Sequence, residues 1–322
     1  MLAATAAAVA ALPLAVPGLA ALDLVTGRHR LPRLRVYLFV CQYLVNDSVE
    51  ILAAPLLWAR AGLGTRLDSA ASLRRHRALQ WWSAELLARR ADRLLGLGIE
   101  FDDESAGALE PGPVIVIGRH ASPFDASLAG VVYGRIGYAV RGVIMAELLA
   151  DPGFDLIYGR LGSVFVPRDD GPAARSAIDA MARSVERHDG DRAAVVIFPE
   201  GRLFRQTVRD RALDRLSGSD PDRAKRLAGL TNVLPPRPGG LRILLDAMPA
   251  ADVVVLDHRG LDHVRSLADL VGVVPSPEPI RLRATRIPRA EIPDDPDDAT
   301  DWLDDLWLDL DASLAEELGP VD

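Results

Sequence analysis

The stretch VIVIGRHASPFD, residues 114 to 125, combines a strand signal, a turn and two side chains that can move protons. Residues 114 to 117 are a continuous β-branched run, which predicts a strand buried on both faces. Ser122 and Pro123 have the residue types of a helix N-cap and a first helical position. His120 is therefore expected at a strand-to-helix junction, where open α/β sheets bind their ligands.

Asp125 follows the histidine within the first turn of the predicted helix. A carboxylate there can fold back onto His120, fix the tautomer of the imidazole and raise its basicity, so that the far nitrogen accepts a proton from a substrate hydroxyl. Such a base turns an alcohol into a nucleophile. The alternative is purely structural: Asp125 would be the acidic partner in a capping box begun by Ser122, and His120 a polar loop residue.

From Gly98 onward the sequence alternates apolar runs with helical patterns, which is typical of an α/β domain. We expect a mixed, largely parallel sheet flanked by helices, preceded by an N-terminal hydrophobic helical membrane segment. The predicted strands are 114–117, 139–144, 163–166, 193–198, 251–256 and 280–287. The predicted helices are 123–133, 172–187, 221–229, 240–248 and 296–318, the last packing on the domain as a cap.

The N-terminal region is apolar in two stretches. Residues 1–22 carry no charge and are long enough, at about 1.5 Å per residue, to cross a hydrocarbon core. Residues 36–58 are also apolar but contain Asn46, Asp47 and Glu50, and arginines flank both ends. If both flanks are cytoplasmic, this second stretch enters and leaves one leaflet or lies on its surface. The alternative is an amphipathic helix packed on the soluble domain. A long basic amphipathic helix over 69–96 follows.

Composition limits the remaining possibilities. The chain has 322 residues, 49% of them apolar, which suffices for one large domain and an appendage. Cys41 is the only cysteine, so a disulfide or a cysteine zinc cluster within the chain is excluded. No HExxH motif occurs, and we predict neither a metal nor a cofactor. The net charge of −8 is concentrated in residues 291–322, which lack Lys and Arg, so the rest is mildly basic. We predict no nucleic-acid partner.

Two further blocks stand at the carboxyl ends of predicted strands, where site residues are expected. They are GSVFVPR, residues 162 to 168, and VVIFPEGR, residues 195 to 202. Together with the histidine block they provide a base, a carboxylate, two cations and a glycine that permits close backbone approach. This set of groups suits a phosphate-bearing alcohol that attacks an activated acyl group.

The ordered blocks HASPFD, GSVFVPR, FPEGR and VLPPR resemble, in order and spacing, the four blocks of the glycerolipid acyltransferase superfamily. That superfamily is typified by the 1-acylglycerol-3-phosphate acyltransferases. The segments NVLPPRPGGLRILLDAM and RLRATRIPRAEIP resemble in particular its lysocardiolipin and eukaryotic-type lysophosphatidate acyltransferase branch. The resemblance covers about residues 98 to 310.

The resemblance implies roles for individual residues. His120 would be the general base and Asp125 its orienting partner. Arg168 would bind the phosphate of the acceptor, and Glu200 and Gly201 would shape the acceptor site.

The resemblance also gives a role to Pro235, and the chain departs from the family in one respect after Gly201, on the acceptor side. Pro235 would lie near the acyl-donor pocket. The family commonly has Thr and Arg after its Phe-Pro-Glu-Gly block, whereas this chain has Arg202 and Leu203. Arg202 or Arg205 would then supply the missing cation in the substrate site.

The resulting expectation is an O-acyltransferase that moves a fatty acyl group from acyl-CoA or acyl-carrier protein (acyl-ACP) to a lysophospholipid, with 1-acyl-sn-glycerol 3-phosphate as the acceptor. Glycerol 3-phosphate, a lysocardiolipin and a glycolipid are alternative acceptors. A catalytically silent membrane-binding protein is the alternative from another class. We expect residues 1–64 to anchor the protein at the cytoplasmic face of a membrane bilayer and residues 65–322 to form the acyltransferase domain.

Overall fold

The computed structural model describes residues 1–167, 171–188 and 190–318. Its centre is a sheet of the strands β1 (Ile99–Phe101), β2 (Val114–Ile117), β3 (Ala139–Met145), β4 (Val164–Val166), β5 (Ala193–Ile197), β6 (Asp252–Arg259) and β7 (Ile280–Ile287). These seven strands lie in the order β1-β7-β6-β2-β5-β3-β4.

Most neighbouring strands run parallel. β2 pairs in parallel with both β5 and β6, and β3 pairs in parallel with β5 and β4. β7 is antiparallel to β6 and β1 is parallel to β7, so one edge of the sheet runs against the rest. The predicted mixed, largely parallel sheet is therefore confirmed.

The central strands follow directly from their composition. Every residue of β2 and β5 is buried, as expected of apolar strands covered on both faces. β2 and β7 have the predicted bounds, whereas β6 continues to Arg259, past the predicted end at 256. β1 was not predicted, because a three-residue strand with an exposed Glu100 has too little apolar pattern to be recognised.

Eleven helices are found in the described residues. They are α1 (Leu2–Val25), α2 (Pro32–Arg60), α3 (Ala70–Leu95), α4 (Asp125–Arg135), α5 (Pro152–Phe154), α6 (Pro172–His188), α7 (Gln206–Ser219), α8 (Pro221–Leu227), α9 (Pro238–Ala247), α10 (Leu267–Val273) and α11 (Pro296–Leu318). α11 has the predicted bounds. α7 was not predicted, since it buries no residue and so has no apolar stripe to reveal it.

The sheet separates two hydrophobic layers. One contains Val116 and Val196 with apolar residues of α2, α3 and α4. The other contains Ile115 and Ile197 with residues of α6, α9 and α11, including the fully buried Trp307. Alternate residues of each central strand thus enter opposite layers, which is the period of two expected of a strand.

α1 and α2 form an antiparallel hairpin. At one end, Thr5 Oγ1 lies 2.7 Å from Ser48 Oγ. At the other, the buried Asp23 carboxylate accepts from the backbone N–H of Arg33 at 3.0 Å and from its guanidinium, also at 3.0 Å. Both helices are long and apolar enough to cross a membrane by length and composition, with mean hydropathy of 2.0 for α1 and 1.2 for α2.

The polar residues that interrupt α2 face the rest of the protein. Asn46 Nδ2 donates to Ser83 Oγ of α3 at 2.7 Å, and Ser83 Oγ donates to the Glu50 carboxylate. One turn earlier, Tyr43 donates to Asp151 at 2.9 Å. The polar side chains of α2 are therefore directed at the domain, whereas apolar residues such as Leu52 and Leu56 are exposed.

Candidate active site

His120 lies three residues beyond the end of β2, in a turn that precedes α4. Its Nδ1 is 3.1 Å from Asp125 Oδ2, and the Ser122 backbone N–H donates to the same oxygen at 2.8 Å. α4 begins at Asp125, with Phe124 as its N-cap, so the predicted helix start at Ser122 and Pro123 was wrong. The turn residues 122–124 are nevertheless held as a cap would hold them. Asp125 therefore contacts His120, as expected of its orienting partner, and also accepts a hydrogen bond from the turn, as in the capping-box alternative.

The Asp125 carboxylate stays ionised although only 2% of its side chain is exposed. Burial acts to raise its pKa, but hydrogen bonding from His120, the nearby His258 and the Ser122 N–H outweigh burial and hold the pKa well below its usual range. An ionised oxygen facing Nδ1 requires a hydrogen on that nitrogen. The Nε2 of His120 is thereby left as the basic nitrogen.

The segment after β5 holds the backbone and ring of His120. Its N–H donates to Glu200 Oε1 at 3.3 Å, and its carbonyl accepts from the Phe204 N–H at 2.7 Å. Its ring stacks on Phe198 with a centroid separation of 4.7 Å. The side chain is 17% exposed, so one edge of the ring remains accessible while the rest is fixed.

Glu200 and Gly201 have different positions in this turn. Glu200 is buried, and burial raises the pKa of its carboxyl to about 8, against the opposing effect of the His120 and Leu234 amides. Gly201 has a φ of 64°, and its N–H donates to the Phe198 carbonyl at 2.9 Å. An added Cβ would be strained there and would lie 3.6 Å from Arg237 Nη1.

A cavity of about 450 Å³ opens beside His120. Its wall is mostly apolar. It includes residues of α3, α4, β3 and the segment 148–158, and also Tyr138 just before β3; among them are Trp81, Ile144, Leu148, Phe154 and Tyr158. His120, Gly201, Arg141 and Arg237 also line it. The accessible histidine therefore borders a space suited to an apolar chain, with cations in the same wall.

The remaining predicted site residues are not all placed there. Arg168 lies outside the described residues, although its neighbour Pro167 lines the cavity. Glu200, Arg202 and Pro235 are absent from the described lining, and Arg205 is an exposed residue at the start of α7. The cation in the cavity wall beside Gly201 is Arg237. It is the last residue of the VLPPR block, but the sequence suggested no role for it.

His258 is a second residue that sequence reasoning missed. Its Nε2 lies 2.9 Å from Asp125 Oδ1, and its side chain is 4% exposed. β2 and β6 are paired with Ile117 opposite Val255, and His120 and His258 each lie three residues further on. The one signal in the sequence is a histidine that follows an apolar run, which has no meaning until the pairing of the two strands is known.

A group of ion pairs adjoins these residues. Arg119 Nε donates to Asp257 Oδ1 at 2.7 Å, and its Nη2 donates to Asp262 and to the His258 carbonyl. Burial acts to raise the pKa values of both aspartates, but the charge of Arg119 outweighs burial and lowers them. We call Arg119, Asp257 and Asp262 the arginine cluster, and His120, Asp125 and His258 the histidine cluster.

Gly118 permits this close arrangement. A Cβ on Gly118 would lie 2.6 Å from the Leu256 carbonyl of β6, which is too close for any side chain. Within the described part of the chain, no group of three or more His, Cys, Asp or Glu is placed to hold a metal ion.

Comparison with known proteins places these residues within a recognised domain. A model of the acyltransferase family matches residues 102–257, which contain both clusters apart from His258 and Asp262. Among solved structures, the chain is similar to PlsC, the 1-acyl-sn-glycerophosphate acyltransferase of Thermotoga maritima, with a TM-score of 0.50 and 15% identity over 88% of this chain and 99% of that one. This likeness shows a shared fold. No curated protein matches the chain at a significant level.

Proposed function

We propose that the chain is an O-acyltransferase of the glycerolipid acyltransferase superfamily, and from the matching acyltransferase domain we infer its substrates and the roles of its residues. The donor is a fatty acyl thioester, acyl-CoA or acyl-ACP. The acceptor is the free hydroxyl of a lysophospholipid, 1-acyl-sn-glycerol 3-phosphate. The observation that carries the proposal is the His120–Asp125 pair, whose accessible ring borders an apolar cavity.

In the proposed reaction His120 is the general base. Its Nε2 takes the proton of the acceptor hydroxyl as that oxygen attacks the thioester carbonyl carbon. When the tetrahedral intermediate collapses, the carbon–sulfur bond breaks and the imidazolium returns the proton to the leaving thiolate. Asp125 stays ionised throughout and stabilises the imidazolium, a role for which its lowered pKa suits it. No covalent acyl-enzyme is formed.

The apolar cavity is the proposed site of an acyl chain. Its volume of about 450 Å³ is typical of sites that enclose a small molecule. Each methylene group that moves from water into such a space contributes roughly 0.8 kcal/mol. Because His120 lines the same space, a chain bound there would bring its thioester or its acceptor hydroxyl close to the base.

Two arginines are the proposed phosphate ligands. We retain Arg168 in this role from the sequence, and we add Arg237, which lines the cavity beside Gly201. Arginine suits a phosphate because its planar fork can donate two hydrogen bonds at once. Glu200 supports the site through the His120 N–H, and Gly201 shapes the turn over which Arg237 lies.

Arg202 and Pro235 remain proposed contributors to substrate binding. Arg202 directly follows the turn at Gly201, and Pro235 lies two residues before Arg237. In the described structure neither residue lines the cavity. Any effect of these residues would therefore pass through the backbone that positions Gly201 and Arg237.

Membrane attachment through residues 1–64 is the second part of the proposal, with residues 65–322 as the acyltransferase domain at the cytoplasmic face. It is supported by the two apolar helices of the hairpin and by the exposed Trp81 and Trp82 on α3, a residue type common at membrane interfaces. Deletion of residues 1–60 should release the protein from washed membranes. Full-length protein that fractionates without membranes would contradict the proposal.

An acceptor screen tests the chemistry. Purified full-length protein in detergent is given radiolabelled acyl-CoA or acyl-ACP with lysophosphatidate, glycerol 3-phosphate, lysocardiolipin or a glycolipid, and His120→Ala serves as the inactive control. We expect transfer to lysophosphatidate that the control lacks. Preference for another acceptor would retain the reaction and replace the substrate. Absence of transfer to every acceptor would support the catalytically silent alternative.

A further inference from the structure

The two oxygens of the Asp125 carboxylate have different neighbours. Oδ2 accepts from the Ser122 N–H at 2.8 Å and faces Nδ1 of His120 at 3.1 Å. Oδ1 points the other way, and Nε2 of His258 lies 2.9 Å from it. The carboxylate is thus held between two histidines, one accessible and one buried.

The His258 nitrogen that faces Asp125 must carry a hydrogen. Because the carboxylate is ionised, a bare nitrogen, which carries partial negative charge, would be repelled by an oxygen 2.9 Å away in a buried place. Nε2 carries a hydrogen both in the cationic ring and in one tautomer of the neutral ring. The contact therefore requires that tautomer or the cation. It is an electrostatic contact at ion-pair distance that lacks the angle of a regular hydrogen bond.

The position of His258 is itself fixed. It lies on β6, where it pairs with Leu282 of β7, and its carbonyl accepts from Arg119 at 2.6 Å and from Arg259 at 3.1 Å. The ring borders a space of only about 10 Å³ beside Leu128 and Phe198, too small for it to turn freely. Asp125, by contrast, is the first residue of α4 and follows an irregular turn.

We propose that His258 is a positioning residue for the reaction, which holds Oδ1 of Asp125 from β6 so that Oδ2 stays directed at Nδ1 of His120. His258 touches neither the donor nor the acceptor in this scheme. It acts by preventing rotation of the carboxylate about its Cβ–Cγ bond, which would weaken the contact that selects the tautomer of the base. The inference rests on the proposed function, since it assigns His258 a part in that reaction.

Steady-state kinetics of His258→Phe and His258→Gln test the proposal, with purified full-length enzyme, acyl-CoA and lysophosphatidate. Phe keeps a ring among apolar neighbours but removes the N–H, whereas Gln keeps an N–H donor. We expect His258→Phe to lower kcat about 10-fold, less than the roughly 10²-fold loss that a 1 Å misplacement can cause. Both KM values should stay within about 2-fold, and His258→Gln should recover most of the loss.

The matched control is His76→Phe. His76 is a buried histidine of α3 whose Nδ1 lies 2.8 Å from the Ser72 carbonyl. It should retain nearly normal kcat, so that loss of a buried histidine alone does not explain the effect. A normal kcat for His258→Phe, a rise in KM in place of a fall in kcat, or a folded His258→Gln as impaired as His258→Phe would overturn the proposal.

A double-mutant cycle separates positioning from general structural support. If His258 acts only through Asp125, adding His258→Phe to Asp125→Asn should change the residual kcat less than about 2-fold. The same 10-fold loss in that background would overturn the proposal, because the effect would then pass through another residue.

An NMR measurement on the wild-type protein tests the His258–Asp125 contact even where the kinetic experiments cannot be carried out. If His258→Phe does not fold, or if the wild-type protein transfers no acyl group, ¹⁵N NMR of histidine-labelled protein still tests the contact. The ring signal that His258→Gln removes should show a hydrogen on Nε2 at pH 7.5, and a bare Nε2 would overturn the inference. Loss of wild-type transfer with the hydrogen present would refute the proposed function while leaving the contact established.

Discussion

The arginine cluster and the histidine cluster stand side by side at the same strand ends, yet they differ in exposure and in pairing. Arg119 precedes His120 in the turn after β2, and Asp257 precedes His258 on the paired strand β6, so successive residues at each place enter different clusters. In the arginine cluster every charged group is buried against an opposite charge. In the histidine cluster one ring keeps an open edge toward the cavity.

The difference shows that neighbouring residues at one end of the sheet can have separate roles, one cluster in stability and the other in the proposed reaction. A buried charge must be matched because leaving it alone in a poor dielectric costs several kcal/mol. A base must instead keep one nitrogen free to meet its substrate. Arg119 and His120 satisfy these opposite demands at adjacent positions of the turn after β2.

The largest effect on turnover is expected from His120→Ala. Removal of the base should lower kcat by about 10²–10⁴-fold with little change in donor binding, the range typical of general acid-base catalysis. The melting temperature should stay close to that of the wild type, because the ring is partly exposed. His263→Ala, at an exposed histidine, is the control in the same kinetic assay. Near-normal turnover by folded His120→Ala would place the base elsewhere.

Arg119→Met should show the opposite pattern, a loss of stability. It leaves the buried Asp262 without a cation and Asp257 with Arg259 alone, and breaking a buried pair in this way typically costs about 3–5 kcal/mol in free energy of unfolding. Denaturant unfolding in detergent measures the loss, and Arg183→Met, which breaks an exposed pair with Asp179, should leave stability unchanged. Full stability of Arg119→Met would show that the comparison between the clusters is wrong.

Arg168 and Arg237 should act on the binding of the acceptor rather than on turnover or stability. Arg168→Ala and Arg237→Ala should each raise the apparent KM for lysophosphatidate about 10-fold with a smaller change in kcat, as expected when a charge-assisted hydrogen bond is lost from ground and transition states alike. Initial rates at varied acceptor concentration measure this. Exposed Arg183→Ala is the matched control. A fall in kcat alone would assign these arginines to the chemical step instead.

The smallest effect concerns Glu200 and pH. Burial raises the pKa of its carboxyl from 4.5 to about 8, so the folded protein holds this proton more tightly than the unfolded chain does. The stability that this provides is present below pH 4.5 and is lost as pH rises through about 8. Glu200→Gln should reduce the fall in melting temperature between pH 5 and 9, whereas Glu278→Gln, at an exposed site, should not. Identical pH curves for Glu200→Gln and the wild type would contradict this assignment.

Much of the fold could be predicted from local pattern. The predicted bounds of β2, β7 and α11 agree with the structure, because a continuous apolar run marks β2, apolar periodicity marks β7 and α11, and proline or glycine lies near their ends. β1 and α7 were missed since neither carries an apolar pattern of sufficient length. The helix start at Ser122 was wrong because the Asp125 carboxylate bonds that turn from within the helix, so α4 begins only at Asp125.

The sequence by itself determined the α/β class, the apolar N-terminal helices and the His120–Asp125 pair, since each depends on residues close together in the chain. Tertiary structure alone decided that His258 meets Asp125, that Arg119 joins Asp257 and Asp262, and that Arg237 borders the cavity. Those contacts join residues that are far apart along the chain. They depend on which strands pair and in what register, and the pairing is chosen by burial over the whole sheet rather than by any local pattern.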